Sequence, residues 1–192
     1  MNKKNKISIR NLRPVINALN RKTGFALIEL IVSFAILTTG ITAALALITQ
    51  SLKSSYYVRN QTIASYLAVE GLELVKNKRD ENFIKNSFAP PPVGWLDELN
   101  FCIIANGCTI DPADGDINGC GGGGCQKLRY DMALNLYNYD GADPETIFTR
   151  KITISAAAAF GNDEREIISE VRWTDKFGAH VYTLKTHIFD WF

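Results

Sequence analysis

The sequence has few of the side chains on which enzymes and nucleic-acid-binding proteins depend. Its only two histidines, His180 and His187, lie seven residues apart in one strand-like run, so they should face opposite sides of a sheet. No serine or cysteine nucleophile has a recognisable histidine partner, and no paired carboxylates stand out. Lysine and arginine are scattered through residues 81–192 rather than gathered in a stripe. We therefore expect neither catalysis nor nucleic-acid binding.

Acidic residues are missing from one end of the chain. The formal net charge of the 192 residues is +1, which excludes a histone-like protein or an acidic-tail protein. Residues 1–24 carry seven basic residues and no acid, residues 25–52 carry a single charge, Glu29, and the remaining chain is mildly acidic. A basic start, an apolar span and an acidic body form the layout of a membrane-targeted protein.

Proline is absent from the longest apolar run, Phe25 to Ile48, and Glu29 is the one ionisable group in it. At about 1.5 Å per residue the run reaches about 36 Å as a helix, enough to cross a hydrocarbon core of about 30 Å. The basic residues before it should stay in the cytoplasm. A secretory signal peptide has a shorter apolar region followed by a small-residue cleavage site, which this run lacks. A plain signal anchor is the simplest alternative.

Two details argue against a plain anchor. An unpaired carboxylate in lipid costs several kcal/mol, so Glu29 should have a partner or a role. In addition, Gly24 stands between the basic stretch and the apolar run, in Lys22-Thr23-Gly24-Phe25, where a peptidase could act at the cytoplasmic face of the membrane.

The segment K-T-G-F-A-L-I-E-L resembles the processing site of type IV prepilins and type II secretion pseudopilins. The resemblance implies that a prepilin peptidase cuts after Gly24, that Phe25 becomes the N-methylated first residue and that Glu29 acts in assembly. It also implies other pilin or pseudopilin subunits, an inner-membrane assembly platform and membrane lipid as partners. In a helical filament, the Glu29 carboxylate of one subunit would neutralise the Phe25 ammonium of its neighbour. Head-to-tail contacts of this kind generate open filaments.

The chain then divides into four segments. They are a basic cytoplasmic leader, a transmembrane and assembly half of a helix, an amphipathic half of the same helix, and a globular head: residues 1–24, 25–48, 49–80 and 81–192. The amphipathic half is inferred from apolar residues that recur at spacings of three, four and seven, namely Leu52, Tyr56, Ile63, Leu67 and Leu74. Residues 82–100, with Pro90-Pro91-Pro92, are expected to form a loop.

Strand-like runs fill the last third of the chain, and turn signals separate them. The runs are 127–137, 146–155, 165–174 and 179–189. They predict an antiparallel sheet over residues 126–190. We therefore predict an α+β fold in which a long N-terminal helix packs on a four-stranded antiparallel sheet, an arrangement that the pilin resemblance also implies.

The four cysteines, Cys102, Cys108, Cys120 and Cys125, lie in a Cys/Gly-rich loop over residues 101–125. A head outside the cytoplasmic membrane favours disulfides, and four cysteines allow three pairings. The nested pairing, 102–125 with 108–120, would close the loop tightly and is favoured, with the adjacent pairing as the close alternative. Zinc is disfavoured because no C-x2-C unit is present.

The same loop contains Asp114-Gly115-Asp116-Ile117-Asn118-Gly119, the first half of an EF-hand-type pattern, D-x-D-x-N-G. Oxygens at that spacing converge on one cation, so calcium is a candidate ligand of Asp114, Asp116 and Asn118. The twelfth position is Cys125 rather than glutamate, and Asp111 is the candidate substitute. An Asp/Gly-rich surface turn is the alternative interpretation. The glycines at 121–124 are not a phosphate loop, because the lysine and the strand-to-helix setting are missing.

These features predict a prepilin-like structural subunit of a type IV pilus, pseudopilus or competence filament, with no required cofactor. It would begin as a single-pass cytoplasmic-membrane protein with its N-terminus inside and its head outside, and end in a cell-surface or periplasmic filament. The long cysteine-rich loop favours a minor subunit. One rival is a permanently anchored extracellular binding module that uses the calcium and disulfide loop; another is a signal-anchored enzyme.

Overall fold

The computed structural model describes residues 13–88, 93–156 and 163–190, with side chains from Ala26 onward. Residues 1–12 of the predicted leader and the three prolines at 90–92 lie outside the described residues. The described residues form two helices and seven strands. They are α1 (Arg13–Phe88), α2 (Asn100–Ile103), β1 (Cys108–Ile110), β2 (Ile117–Gly119), β3 (Lys127–Asp131), β4 (Leu136–Asn138), β5 (Glu145–Ala156), β6 (Glu164–Asp175) and β7 (Gly178–Phe189).

The chain divides into two compact units, Met1–Ser54 and Ser55–Phe192, and α1 passes through the boundary between them. In the first unit every side chain from Ala26 to Ser54 is exposed, although most of these residues are apolar. Among the described residues, one helix is long and apolar enough to cross a membrane, judged by length and composition. The predicted apolar N-terminal helix is therefore confirmed.

Threonine hydroxyls inside the apolar run are hydrogen-bonded within the helix itself. The hydroxyls of Thr38, Thr39 and Thr42 donate to the carbonyl oxygens of Phe34, Ala35 and Thr38 at 2.8, 2.9 and 2.9 Å. The helix continues without a break through Gly40. Because these hydroxyls are bonded within the helix, they can enter hydrocarbon without losing hydrogen bonds to water.

The sheet of the second unit is antiparallel but has seven strands, so the predicted number of four is wrong. Strand β7 pairs with β6, and β6 pairs with β5. The other edge of β5 pairs with β3 near Thr149 and with β1 at Ile152. Strand β4 then pairs with β3, and β2 pairs with β1. The run 127–137 forms two strands because residues 132–135 turn, with Asn135 at a φ of 54°. Strands β1 and β2 form inside the predicted loop 101–125.

Helix α1 meets the sheet along a stripe of small and aliphatic residues that differs from the predicted stripe. The buried positions are Ala64, Leu67, Ala68, Gly71, Leu72 and Val75. Leu67 was predicted, and the predicted Ile63 and Leu74 are partly buried against the core, whereas Leu52 and Tyr56 are about half exposed, at 54% and 46%. Alanine and glycine let the helix backbone approach the sheet closely, a contribution that a search for large apolar residues does not detect.

Two clusters of buried side chains form between α1 and the inner face of the sheet. One centres on Ile152, Ile154 and Ile167 with Leu72 and Val75, and the other on Phe148, Val171 and Trp173 with Leu67. The helix ends at Phe88 rather than near residue 80. Its last turns are held by Asn82, whose side-chain amide donates to the carbonyl oxygens of Trp95 and Asp97 at 3.3 and 2.9 Å.

Candidate assembly site

The predicted processing and assembly residues lie near the start of α1. Gly24 and Phe25 are helical, but their side chains lie outside the described residues. The Glu29 side chain is exposed, and none of the described residues gives it a hydrogen bond or an ion pair. Its neighbours Leu27, Ile28 and Leu30 are all more than half exposed. A single carboxylate among exposed apolar side chains is costly in lipid unless it is paired.

An ion pair with a buried arginine joins α1 to the sheet in the head. The Arg150 side chain on β5 is fully buried, and its Nη1 lies 2.5 Å from Glu70 Oε2. Its Nη2 donates to the Ile110 carbonyl oxygen at 2.8 Å, and Nη1 also reaches the Leu67 carbonyl oxygen at 3.3 Å. One guanidinium therefore links α1, β1 and β5. Sequence reasoning missed this pair because its members stand 80 residues apart and neither has a motif.

The packing around Gly71 explains why a glycine stands in the middle of the head's helix. A Cβ at this position would lie 2.6 Å from Ser169 Oγ and 3.1 Å from Arg150 Cδ. The missing side chain thus makes room for the arginine beside Glu70. Nearby, burial raises the pKa of Tyr139, while the Arg150 charge acts in the opposite direction.

The structure pairs adjacent cysteines, so the favoured nested arrangement is wrong and the adjacent alternative is right. Cys102 bonds Cys108 and Cys120 bonds Cys125, with Cα–Cα distances of 4.6 and 4.4 Å. Helix α2 places Cys102 against the start of β1, where Cys108 is buried. The second bridge closes the glycine loop, which turns back on itself through the bond from the Gly124 N–H to the Gly121 carbonyl and a φ of +100° at Gly124.

The predicted calcium residues are brought into one pocket of about 390 Å³. Its lining includes Asp111, Asp114, Asp116 and Asn118, and the fold adds Asp131, Asp140 and Asp143, which sequence reasoning missed. The Asp111 carboxylate is engaged, because it accepts the backbone N–H groups of Ala113 and Tyr139, both at 2.9 Å. Asp114 likewise accepts the Asp116 N–H. No group of three His, Cys, Asp or Glu side chains placed to hold a metal occurs in the part of the chain that the structure describes. Calcium binding stays a prediction.

Residues 19–45 match the family described as the prokaryotic N-terminal methylation motif. The chain carries a prepilin-type methylation motif. The match includes Gly24, Phe25 and Glu29 and extends through most of the apolar run, so the resemblance to type IV prepilins and pseudopilins is confirmed over this segment. The motif implies processing by a prepilin peptidase and assembly with other pilins. Neither the curated proteins nor the solved structures include a significant match.

As predicted, the two histidines lie on opposite faces of β7. His180 stacks on Trp173 at a ring-centroid distance of 5.2 Å and also meets the edge of Tyr57 on α1. His187 Nδ1 lies 2.6 Å from Glu164 Oε1 on the other face. Their roles in the structure are therefore to pack and to bond within the sheet. The alternation along β7, which the sequence showed, was sufficient to separate them.

Proposed function

We propose that this chain is a prepilin-like structural subunit that is cleaved after Gly24 and polymerises through its N-terminal helix. The filament would be a type IV pilus, a type II secretion pseudopilus or a competence filament. The observation that supports the proposal best is a coincidence in one segment. The methylation motif at residues 19–45 overlaps the apolar run of α1 over residues 25–48. The side chains described in that run are all exposed, and its one charged group, Glu29, has no partner among the described residues.

The charge change on cleavage supports the assembly role of Glu29. Removing residues 1–24 deletes seven positive charges and creates a single ammonium at Phe25. The leader would hold the N-terminus in the cytoplasm, and its loss would permit the helix to leave the bilayer for the filament. In the filament, the Glu29 carboxylate and the neighbour's Phe25 ammonium would neutralise each other among apolar side chains.

The orientation of the subunit follows from the same features. The basic leader favours a cytoplasmic N-terminus, and two disulfides favour a head outside the cytoplasmic membrane. The partners would be a prepilin peptidase, an inner-membrane assembly platform and other pilin or pseudopilin subunits. A structural role is in line with a methylation motif whose proteins are structural.

The direct test is the substitution Gly24→Val. A β-branched side chain should not fit a peptidase site built around glycine, so the variant should remain uncleaved in the membrane. The matched control is Gly40→Val, because Gly40 lies in the same helix and nothing stands within 4 Å of a Cβ built there. Cleavage is read as the mass shift between precursor and mature protein. Normal cleavage of Gly24→Val would contradict the proposal.

The rival function is a permanently anchored extracellular binding module that uses the disulfide loop. Its supporting observation is the acidic pocket lined by Asp111, Asp114 and Asp116. Mass spectrometry of the mature amino terminus separates the two functions. N-methyl-Phe25 supports the filament subunit, whereas an intact Met1 supports the anchored module.

A further inference from the structure

The turn between β6 and β7 meets the first residues of the head's helix and forms a cationic aromatic surface. The Lys176 Nζ lies 4.7 Å from the centroid of the Tyr56 ring and 4.9 Å from that of the Phe177 ring. Tyr56 and Tyr57 are 46% and 39% exposed, and Phe177 is 37% exposed. We call these four residues, Tyr56, Tyr57, Lys176 and Phe177, the turn platform.

The turn platform is held in place by its surroundings. Asp175 pairs with Gly178 across the hairpin, and its carboxylate accepts the Phe177 N–H at 2.8 Å. Gly178 has a φ of +140°, which an L-residue with a side chain rarely adopts. Behind the turn, the Tyr57 ring packs on His180 and Trp173 at centroid distances of 5.2 and 6.3 Å. Such a surface loses little conformational freedom when it binds a partner.

Tyr56 of the turn platform follows the apolar run closely in the sequence. Eight residues separate Ile48, the end of the apolar run, from Tyr56, and eight residues of helix rise about 12 Å. Between Leu30 and Val69 the helix contains two cations, Lys53 and Arg59, and no acid. The one acid of the turn, Asp175, accepts the Phe177 N–H, and this bond holds its pKa below the usual value, with a smaller contribution from His180. In sequence, the helix segment after the apolar run thus carries cations and no acid, and the turn adds Lys176.

We propose that the turn platform docks on anionic lipid headgroups of the membrane that holds α1. Tyrosine and phenylalanine rings suit the headgroup level, and lysine suits lipid phosphate. Lys176 contacts the phosphate, while Tyr56 and Phe177 lie beside it at the interface. The head of an unassembled subunit is thereby held against the bilayer surface. This inference rests on the membrane anchoring in the proposed function, but it requires neither cleavage nor polymerisation.

The test uses the full uncleaved chain in phosphatidylcholine vesicles that contain about one-third phosphatidylglycerol. The photoreactive residue p-benzoylphenylalanine replaces Phe177 in one sample. In a matched sample it replaces Phe88, which is 85% exposed and ends α1. We expect lipid adducts at position 177 and few at position 88.

A second arm tests the charge. A lysine near an anionic surface contributes about 1 kcal/mol, so Lys176→Gln should lower the adduct yield at 177 by up to about fivefold. Lys127→Gln, at a lysine that is 56% exposed on another strand, should leave the yield unchanged. Removing phosphatidylglycerol should have the same effect as Lys176→Gln.

Two results would overturn the proposal. One is an equal lipid adduct yield at positions 177 and 88. The other is an adduct at 177 that links two copies of the chain instead of a chain and a lipid, which would assign the turn platform to subunit contacts. Because the vesicle assay uses uncleaved protein, a failed processing test at Gly24 would not change its outcome, so the two failures are distinguishable.

Discussion

The two units of this chain use one helix in opposite ways. From Ala26 to Ser54 every side chain of α1 is exposed, including large apolar residues such as Ile36 and Leu47. From Ser55 onward the helix buries one stripe completely, with Ala64, Ala68 and Val75 at 0% exposure. The first part therefore depends on lipid or other subunits to cover its apolar surface, whereas the second part covers its own with a sheet.

The placement of charge differs in the same way. Glu29 in the first unit has no partner among the described residues, while Glu70 in the second binds the buried Arg150 at 2.5 Å. Both carboxylates stand on the same helix, so helix geometry does not decide their chemistry. Among the described residues, the fold therefore uses the Glu70 charge and leaves the Glu29 charge without a partner.

The largest effect is expected from Glu29→Ala. The variant should be inserted and cleaved normally, because a membrane accepts alanine more easily than glutamate. It should fail to enter filaments, since each Phe25 ammonium would enter an apolar bundle unpaired at a cost of about 3–5 kcal/mol. Shearing and blotting at equal membrane levels measures incorporation, with Glu73→Ala, an exposed helix position, as control. Equal sheared amounts of Glu29→Ala and wild type would contradict the charge-pair role.

In the head, replacing Glu70 and replacing Arg150 should lower the free energy of unfolding by different amounts. Glu70→Gln leaves a fully buried guanidinium without its counter-charge and should lower the free energy of unfolding by about 3 kcal/mol. Arg150→Met should cost about 1 kcal/mol, because Glu70 is one-third exposed and can be hydrated. Denaturant unfolding of the full chain in detergent measures both, against Glu73→Gln. Equal losses of unfolding free energy in the two variants would contradict the prediction that the more deeply buried charge costs more to leave unpaired.

A further test concerns the disulfide pairing, which is found in the head and has no counterpart in the apolar part of α1. Asp111, Asp114 and Asp116 lie between the two bridges, so an Asp-specific protease should release the Cys102–Cys108 and Cys120–Cys125 peptides separately without reduction. Replacing Cys102 and Cys108 together by serine should cost about 2–3 kcal/mol of unfolding free energy. Mass spectrometry gives the pairing. A single linked peptide would restore the nested arrangement.

Substitutions at two glycines of α1 compare the two units again, with smaller expected changes in stability. Gly71→Ala should destabilise the head by about 1 kcal/mol, because crowding against Ser169 and Arg150 outweighs the gain in helix propensity. Gly40→Ala has nothing within 4 Å of its new Cβ and should leave helix stability equal or higher. Thermal unfolding followed by circular dichroism compares the two variants. A stabilised Gly71→Ala would mean that the head tolerates a wider helix–sheet spacing.

Calcium should produce the smallest effect. If the acidic pocket binds calcium weakly, a calcium concentration equal to the dissociation constant should stabilise the oxidised chain by about 0.4 kcal/mol. Asp116→Asn should abolish that gain, and it is a better variant than Asp111→Asn because Asp111 also holds backbone N–H groups. Calorimetry and thermal shift measure binding. No heat at millimolar calcium would leave the loop as a plain surface turn.

The strand predictions succeeded where the alternation of apolar residues was long. Runs 146–155, 165–174 and 179–189 became β5, β6 and β7 almost unchanged. Strands β1 and β2 were missed, and β4 was not separated from β3, because three residues carry too little periodicity to be detected. They form because each has an edge to pair with: β1 pairs with β5, β2 with β1, and β4 with β3.

The sequence by itself determined the membrane-spanning part, because its length, its lack of charge and its glycine–phenylalanine–glutamate spacing are local properties that neighbouring residues alone can meet. The tertiary structure decided what depends on distance between remote residues. It chose the adjacent disulfides, because α2 and the glycine loop bring those sulfurs together. It also decided the Glu70–Arg150 pair, whose members are 80 residues apart in sequence. The small-residue stripe likewise depends on the packed sheet, which leaves no room there for larger helix side chains.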